Sequence, residues 1–197
     1  CSTNNPMPYT TANVQQIILS NPRGTGQANV TIYFRSGTYE IDQLTLPLGT
    51  PPTRQLFLRG DPAAPPLFRY KVPTGTGLFN GPTYHTWLFE LGNRILARFE
   101  ASDLTIDANW LAWTVTNTAA HPAYGGAFKL GGLWVQAHAG KVSGLRIKNC
   151  GAKGEVPVPH FGGAGGAESF PLWVEAQTWG ANLWSVEDCE VSDFHSL

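Results

Sequence analysis

The sequence predicts an all-β fold, a right-handed parallel β-helix (solenoid) with a short N-terminal capping helix and long loops on one side. Three observations predict it. First, an aromatic-x-aliphatic triplet recurs as Tyr39-Glu40-Ile41, Phe89-Glu90-Leu91, Phe128-Lys129-Leu130 and Phe170-Pro171-Leu172. A second triplet follows each after 14 to 17 residues: Leu56-Phe57-Leu58, Leu104-Thr105-Ile106, Leu145-Arg146-Ile147 and Trp184-Ser185-Val186. The first set steps by 50, 39 and 42 residues and the second by 48, 41 and 39, a pitch that marks a repeat array. Second, apolar residues at i and i+2 suit strands with one buried face. Third, the surplus over a three-strand turn falls after each second triplet, in residues 59–88, 107–127 and 148–169, which read as loops rich in Gly, Pro, Ala and aromatics. A propeller blade would instead need four antiparallel strands per repeat.

Taken in order, residues 1–9 are polar and Pro-containing and read as a loose arm; residues 10–197 form a single domain. Val14, Ile17 and Ile18 sit at i, i+3 and i+4, which predicts a short amphipathic helix over residues 10–19, with Thr or Asn as N-cap and Pro22 beyond it. Such a helix would seal one raw apolar end of the stack. Val30 to Phe34, a Gly37 turn and Thr38 to Ile41 then read as two strands. The chain stops eleven residues after Val186, where a fourth loop is due. The domain is therefore expected to be incomplete at its C-terminus, or its open edge to be covered by self-association or a further chain.

The helix, the Ile32-x-Phe34-x-x-Gly37-Thr38-Tyr39 run and Leu56-x-Leu58-x-Gly60 together resemble the N-terminal half of pectate-lyase-like right-handed β-helix proteins. Ser36 departs from the Pro usual there. The resemblance implies a carbohydrate context, with lyases, glycoside hydrolases, tailspikes and adhesins on one fold, and leaves the activity open. Leu145-Arg146-Ile147-Lys148 is similar to the Arg-Ile-Lys signature of pectin-hydrolysing members, but their Asn-Thr-Asp, Asp-Asp and Gly-His-Gly motifs do not occur in this chain.

Composition narrows the partners. Net charge is −1, 14% of residues are charged, and no basic stripe exists, which argues against nucleic acid. No apolar run is long enough to span a membrane. The opening Cys1-Ser2-Thr3-Asn4-Asn5-Pro6 resembles a processed bacterial lipoprotein. With the fold, it places the protein outside the cell, at a bacterial surface or in the periplasm. Cys150 and Cys189 each trail a second triplet and read as stacked small residues, with a disulfide left open. No metal site is expected, because no His or Cys stands at ligand spacing beside them. The Gly162 to Gly166 run lacks the Lys-Ser/Thr of a phosphate loop, and no cofactor is expected.

Aligning the second triplets puts Arg59, Asp107, Lys148 and Glu187 in one column. Asp107, Lys148 and Glu187 are the candidate catalytic set, a carboxylate–amine–carboxylate group for proton transfer on a sugar. The same column also reads as a ladder of alternating charges on a solvated edge. Trp110, Trp113, His121, Tyr124 and His160, all in the predicted loops, are the candidate ligand-binding residues. Two function classes follow: a carbohydrate-interacting surface protein, which could also build a layer or fibre, and a polysaccharide lyase or glycoside hydrolase working in the groove under the loops.

Overall fold

A computed structural model of the chain describes residues 9–19, 29–71, 85–112, 128–153, 171–176 and 183–196. Among the described residues, helix α1 (Thr11–Leu19) precedes the strands β1 (Asn29–Tyr33), β2 (Thr38–Ile41), β3 (Leu44–Thr45), β4 (Gln55–Arg59), β5 (Leu67–Tyr70), β6 (His85–Ser102), β7 (Thr105–Asp107), β8 (Phe128–Ser143), β9 (Arg146–Lys148), β10 (Gly151–Lys153), β11 (Leu172–Ala176), β12 (Leu183–Glu187), β13 (Glu190–Ser192) and β14 (His195–Ser196). The fold is all-β with dominantly parallel pairing; β10 against β8 is antiparallel.

Pairing follows three ladders. In the first, Val30, Leu56, Phe99, Gly140 and Trp184 are register partners along β1–β4–β6–β8–β12. In the second, Leu44, Phe89, Leu133 and Leu172 align along β3–β6–β8–β11. The third runs β2–β5–β7–β9–β13 and stacks Tyr39, Phe68, Ile106, Ile147 and Val191. The long strands β6 and β8 serve two ladders each, because their register shifts between Leu91 and Ile95. Alternation decides what is buried. Leu56, Leu58, Phe89, Phe99, Phe68, Leu133, Val135 and Val142 show 0–1% exposure and form one core.

The helix begins where expected. Thr10 is its N-cap: its hydroxyl oxygen accepts from the Asn13 N–H at 3.0 Å and its carbonyl from Val14 at 3.1 Å. Val14 and Ile18 enter the core, and Gln15 bonds both the carbonyl and the hydroxyl of Thr45 in β3, so α1 lies at the first-strand end of the stack. Tyr9, read as part of a loose arm, instead packs against Phe34, Tyr39 and Phe68.

Three expectations need correction. Residues 59–88 are not one loop, since β5 and the start of β6 lie within them. The second triplets do not form one column: Leu56-Phe57-Leu58 and Trp184-Ser185-Val186 belong to the first ladder, and Thr105-Ile106 and Arg146-Ile147 to the third. Cys150 and Cys189 do not stack either. Cys150 follows β9, whereas Cys189 takes the corner place before β13 that Leu145 takes before β9, and both are free thiols.

Candidate functional site

The register separates the predicted catalytic set. Asp107 and Lys148 are neighbours, in a row that reads Glu40, Arg69, Asp107, Lys148 and Ser192 across the third ladder. Glu187 lies on the first ladder beside Ser143, where its carboxylate takes the Lys141 ammonium at 2.6 Å. Arg59, in register with Ser102, pairs with Glu100, which also receives Arg98 at 2.6 Å. The column failed because an x-Leu-x-Ile pattern fits any one-sided strand, so it cannot tell one ladder from another.

Asp107 is committed to structure. It is 4% exposed. One oxygen accepts from the Asn109 N–H at 2.9 Å and the Asn149 amide at 3.1 Å, and the other takes Arg69 at 3.2 Å. Asn109, at φ 58°, passes its own amide to the Tyr70 carbonyl. These bonds lock the bend that follows β7 and β9 and occupy most of the acceptor sites of the carboxylate. Lys148 instead borders a shallow groove of about 320 Å³ on the outer face of the third ladder, with Leu67, Thr105, Arg146, Glu190 and Ser192.

Trp110 is likewise not a sugar platform. It is fully buried, and a side chain added at Gly151 would fall 2.4 Å from its ring. Burial on this scale makes it core. Trp113, His121, Tyr124 and His160 lie outside the described residues. Cys150 is buried too, and burial, aided by the Asp107 charge, pushes its thiol up to about 12, which makes it a poor nucleophile.

The second ladder carries a cluster that the sequence reading missed. Glu90, Trp134 and Trp173 occupy one row, next to Thr45. Trp134 and Trp173 are half-buried, and the buried Trp87 backs them: ring centroids are 5.1 Å apart for Trp87–Trp134, 5.9 Å for Trp87–Trp173 and 6.0 Å for Trp134–Trp173. Gly92 makes room for this arrangement, since a Cβ there would stand 2.0 Å from the Trp134 ring. Polar groups flank the indoles. The Gln43 amide donates to the Glu90 carboxylate and to the Trp87 carbonyl, and Gln136 donates to Glu175 at 2.7 Å. Burial pushes the Glu90 carboxyl above its usual range, against hydrogen bonds from Gln43 and the Trp87 backbone. Among the described residues, the Trp134 indole N–H has no acceptor.

The missed signal is visible in the chain. Leu133-Trp134-Val135-Gln136 and Leu172-Trp173-Val174-Glu175 are near-identical tetrads, more specific than the triplets, and they pair in register. An aromatic surface ringed by carboxylates and amides offers C–H stacking and hydrogen-bond acceptors and donors together, which suits a polyhydroxylated ring. Among the described residues no group of three His, Cys, Asp or Glu could hold a metal, and no helix is long and apolar enough to cross a membrane. Compared with known proteins, the chain matches no family model, no curated protein and no solved structure.

Proposed function

We propose that the three ladders are the faces of a right-handed parallel β-helix of the pectate-lyase-like kind, and that the protein binds carbohydrate at a cell surface or in the extracellular space. The observation that carries this reading is the Trp87–Trp134–Trp173 cluster with Glu90, Gln43, Gln136 and Glu175 around it. Indole faces stack on the apolar side of sugar rings, while carboxylates and amides take the hydroxyls. Polysaccharide binding would quench or shift indole emission. Trp134→Ala and Trp173→Ala are each expected to weaken binding on a glycan array about two- to tenfold, by the loss of one stacking contact. Retention of wild-type affinity in the double variant would remove the cluster from the site.

A second reading, glycoside hydrolysis, is favoured by one observation. A carboxyl raised by burial, as at Glu90, is the type of group that serves as a general acid, and Glu175 supplies a second carboxylate on the same face. Reducing-end release from a bound glycan, abolished in Glu90→Gln while binding persists, would select hydrolysis over binding alone.

A further inference from the structure

We infer that the tryptophan cluster takes a single glycan chain, free to twist and stacked through two consecutive sugars, and not the flat face of a crystalline polysaccharide; this rests on the glycan-binding reading above. The geometry of the indoles carries it. Trp134 and Trp173 are register partners on neighbouring parallel strands, half-buried, with ring centroids 6.0 Å apart and planes tilted by 41°. Each indole offers a face to one sugar. The tilt between them is fixed by packing. Trp87, buried behind them, meets Trp134 at 43° and Trp173 at 70°. The Trp134 ring also lies against the β6 backbone, since a Cβ at Gly92 would fall 2.0 Å from it. A surface held in this way keeps its shape on binding, and the ligand must do the adapting.

Sugars in a crystalline face share one plane, so two indoles 41° apart cannot both lie parallel to it. One stacks, and the other is left with an edge contact. A separate chain turns about its glycosidic bonds, and each sugar can follow its own indole. The direction of the chain follows from the register. The indole pair crosses β8 and β11, and the Gln136–Glu175 pair, hydrogen-bonded at 2.7 Å, crosses the same strands two residues further on. Polar groups thus run beside the indoles, where hydroxyls project from the rim of a stacked sugar. Glu90 stands in the indole row on the β6 side, at one end of this track. The chain therefore lies across the strands and not along any one of them.

The test uses one polymer in two physical forms. Dissociation constants are measured for microcrystalline cellulose and for the same cellulose swollen to an amorphous gel, and likewise for crystalline and swollen chitin. Constants rather than amounts bound are compared, because swelling also exposes more polymer. The swollen form is expected to bind about two- to tenfold more tightly, the value of one stacking contact. Calorimetry with soluble sugars is expected to show a rise of the same order from glucose to cellobiose. Trp173→Ala leaves one indole and no tilt, so the preference for the swollen form is expected to vanish. The comparison in the unaltered protein stands even where that variant does not fold. Equal or tighter binding to the crystalline form, no gain from glucose to cellobiose, or a preference that persists in folded Trp173→Ala overturns the inference and leaves glycan binding intact. No binding to any form of either polymer overturns both.

Discussion

Glu90 and Asp107 are both partly or wholly buried carboxylates, and their surroundings give them opposite roles. Asp107 is satisfied by Arg69, Asn109 and Asn149, so removing it strands two donors at a buried bend. Asp107→Ala is expected to cost about 1–3 kcal/mol in urea denaturation, the penalty of unmade buried hydrogen bonds. An unchanged midpoint would show the bend to be held by other contacts. Glu90 is destabilised as an anion by its burial. The sign follows from linkage: with its folded value raised above the ordinary 4.5, the native state holds the proton longer than the unfolded chain, so stability falls as pH rises from about 4.5 through the folded value. Below that window both states are protonated and the penalty vanishes. Glu90→Gln keeps an acceptor for Gln43 and removes the charge. Its melting temperature is therefore expected to exceed wild type at pH 7 and to converge with it near about pH 4. A difference of the same size at both pH values would mean packing, not ionisation, is responsible.

The elements show why part of the architecture was legible and part was not. The helix and its Thr10 cap, and one-sided strands, can be read from the chain because each follows from local spacing of apolar residues. Which strand stacks on which cannot, because Leu-x-Ile has the same period on all three ladders. The triplet pitch does not mark one column either, since Tyr39 lies on the third ladder and Phe89 on the second. The distinguishing feature is a corner. Asp103, Gly144 and Asp188 share left-handed φ values of 56°, 61° and 51°, and each precedes an inward residue, Leu104, Leu145 or Cys189. Their N–H groups step across the stack, Asp103 to the Ser143 carbonyl and Gly144 to the Glu187 carbonyl. Left-handed backbone is tolerated by Gly, Asn and Asp, so a D/G-(L/C)-x-(I/V) string was the sequence mark of this corner. Because Asp103 and Asp188 flank Gly144 about 4.8 Å away on either side, Gly144→Asp would set three like charges in a row. Gly144→Ala is expected to lose about 1–2 kcal/mol from backbone strain, with a Cβ only 2.8 Å from an Asp103 carboxylate oxygen. Gly144→Asn should be milder than either, and the ranking Asn, Ala, Asp in chemical denaturation, with the Asp deficit shrinking in salt, tests the corner. The tryptophan cluster is hard to read from the chain for a related reason: Trp134 and Trp173 sit in the middle of strands, where tryptophan is ordinarily counted as core.

At the scale of the molecule, the two ends of the stack differ. At the first-strand end, α1 contributes Val14 and Ile18 to the core and ties itself to β3 through Gln15. At the other end, each described ladder finishes on a strand with neighbours on one side: β12 and β11 on β8, and β13 on β9. The columns show what this does to burial. Val142 is fully buried while its partner Val186 is 49% exposed; Ile147 is 1% exposed while Val191 is 50% exposed. Leu183 at the start of β12 and Phe194 between β13 and β14 add further exposed apolar area. Val186 and Val191 point the same way as their buried partners, and among the described residues no strand pairs with the outer edges of β12 and β13. A second copy that met this surface with the same surface of its own would make the contact two-fold and closed. Sedimentation velocity is therefore expected to show a concentration-dependent shift from one copy to two and no larger polymers. Val186→Asp with Val191→Asp should abolish the shift while lowering the melting temperature little, because these positions bury little within one copy. A single species at every concentration for the unaltered chain, or open-ended polymers, would refute the face-to-face arrangement.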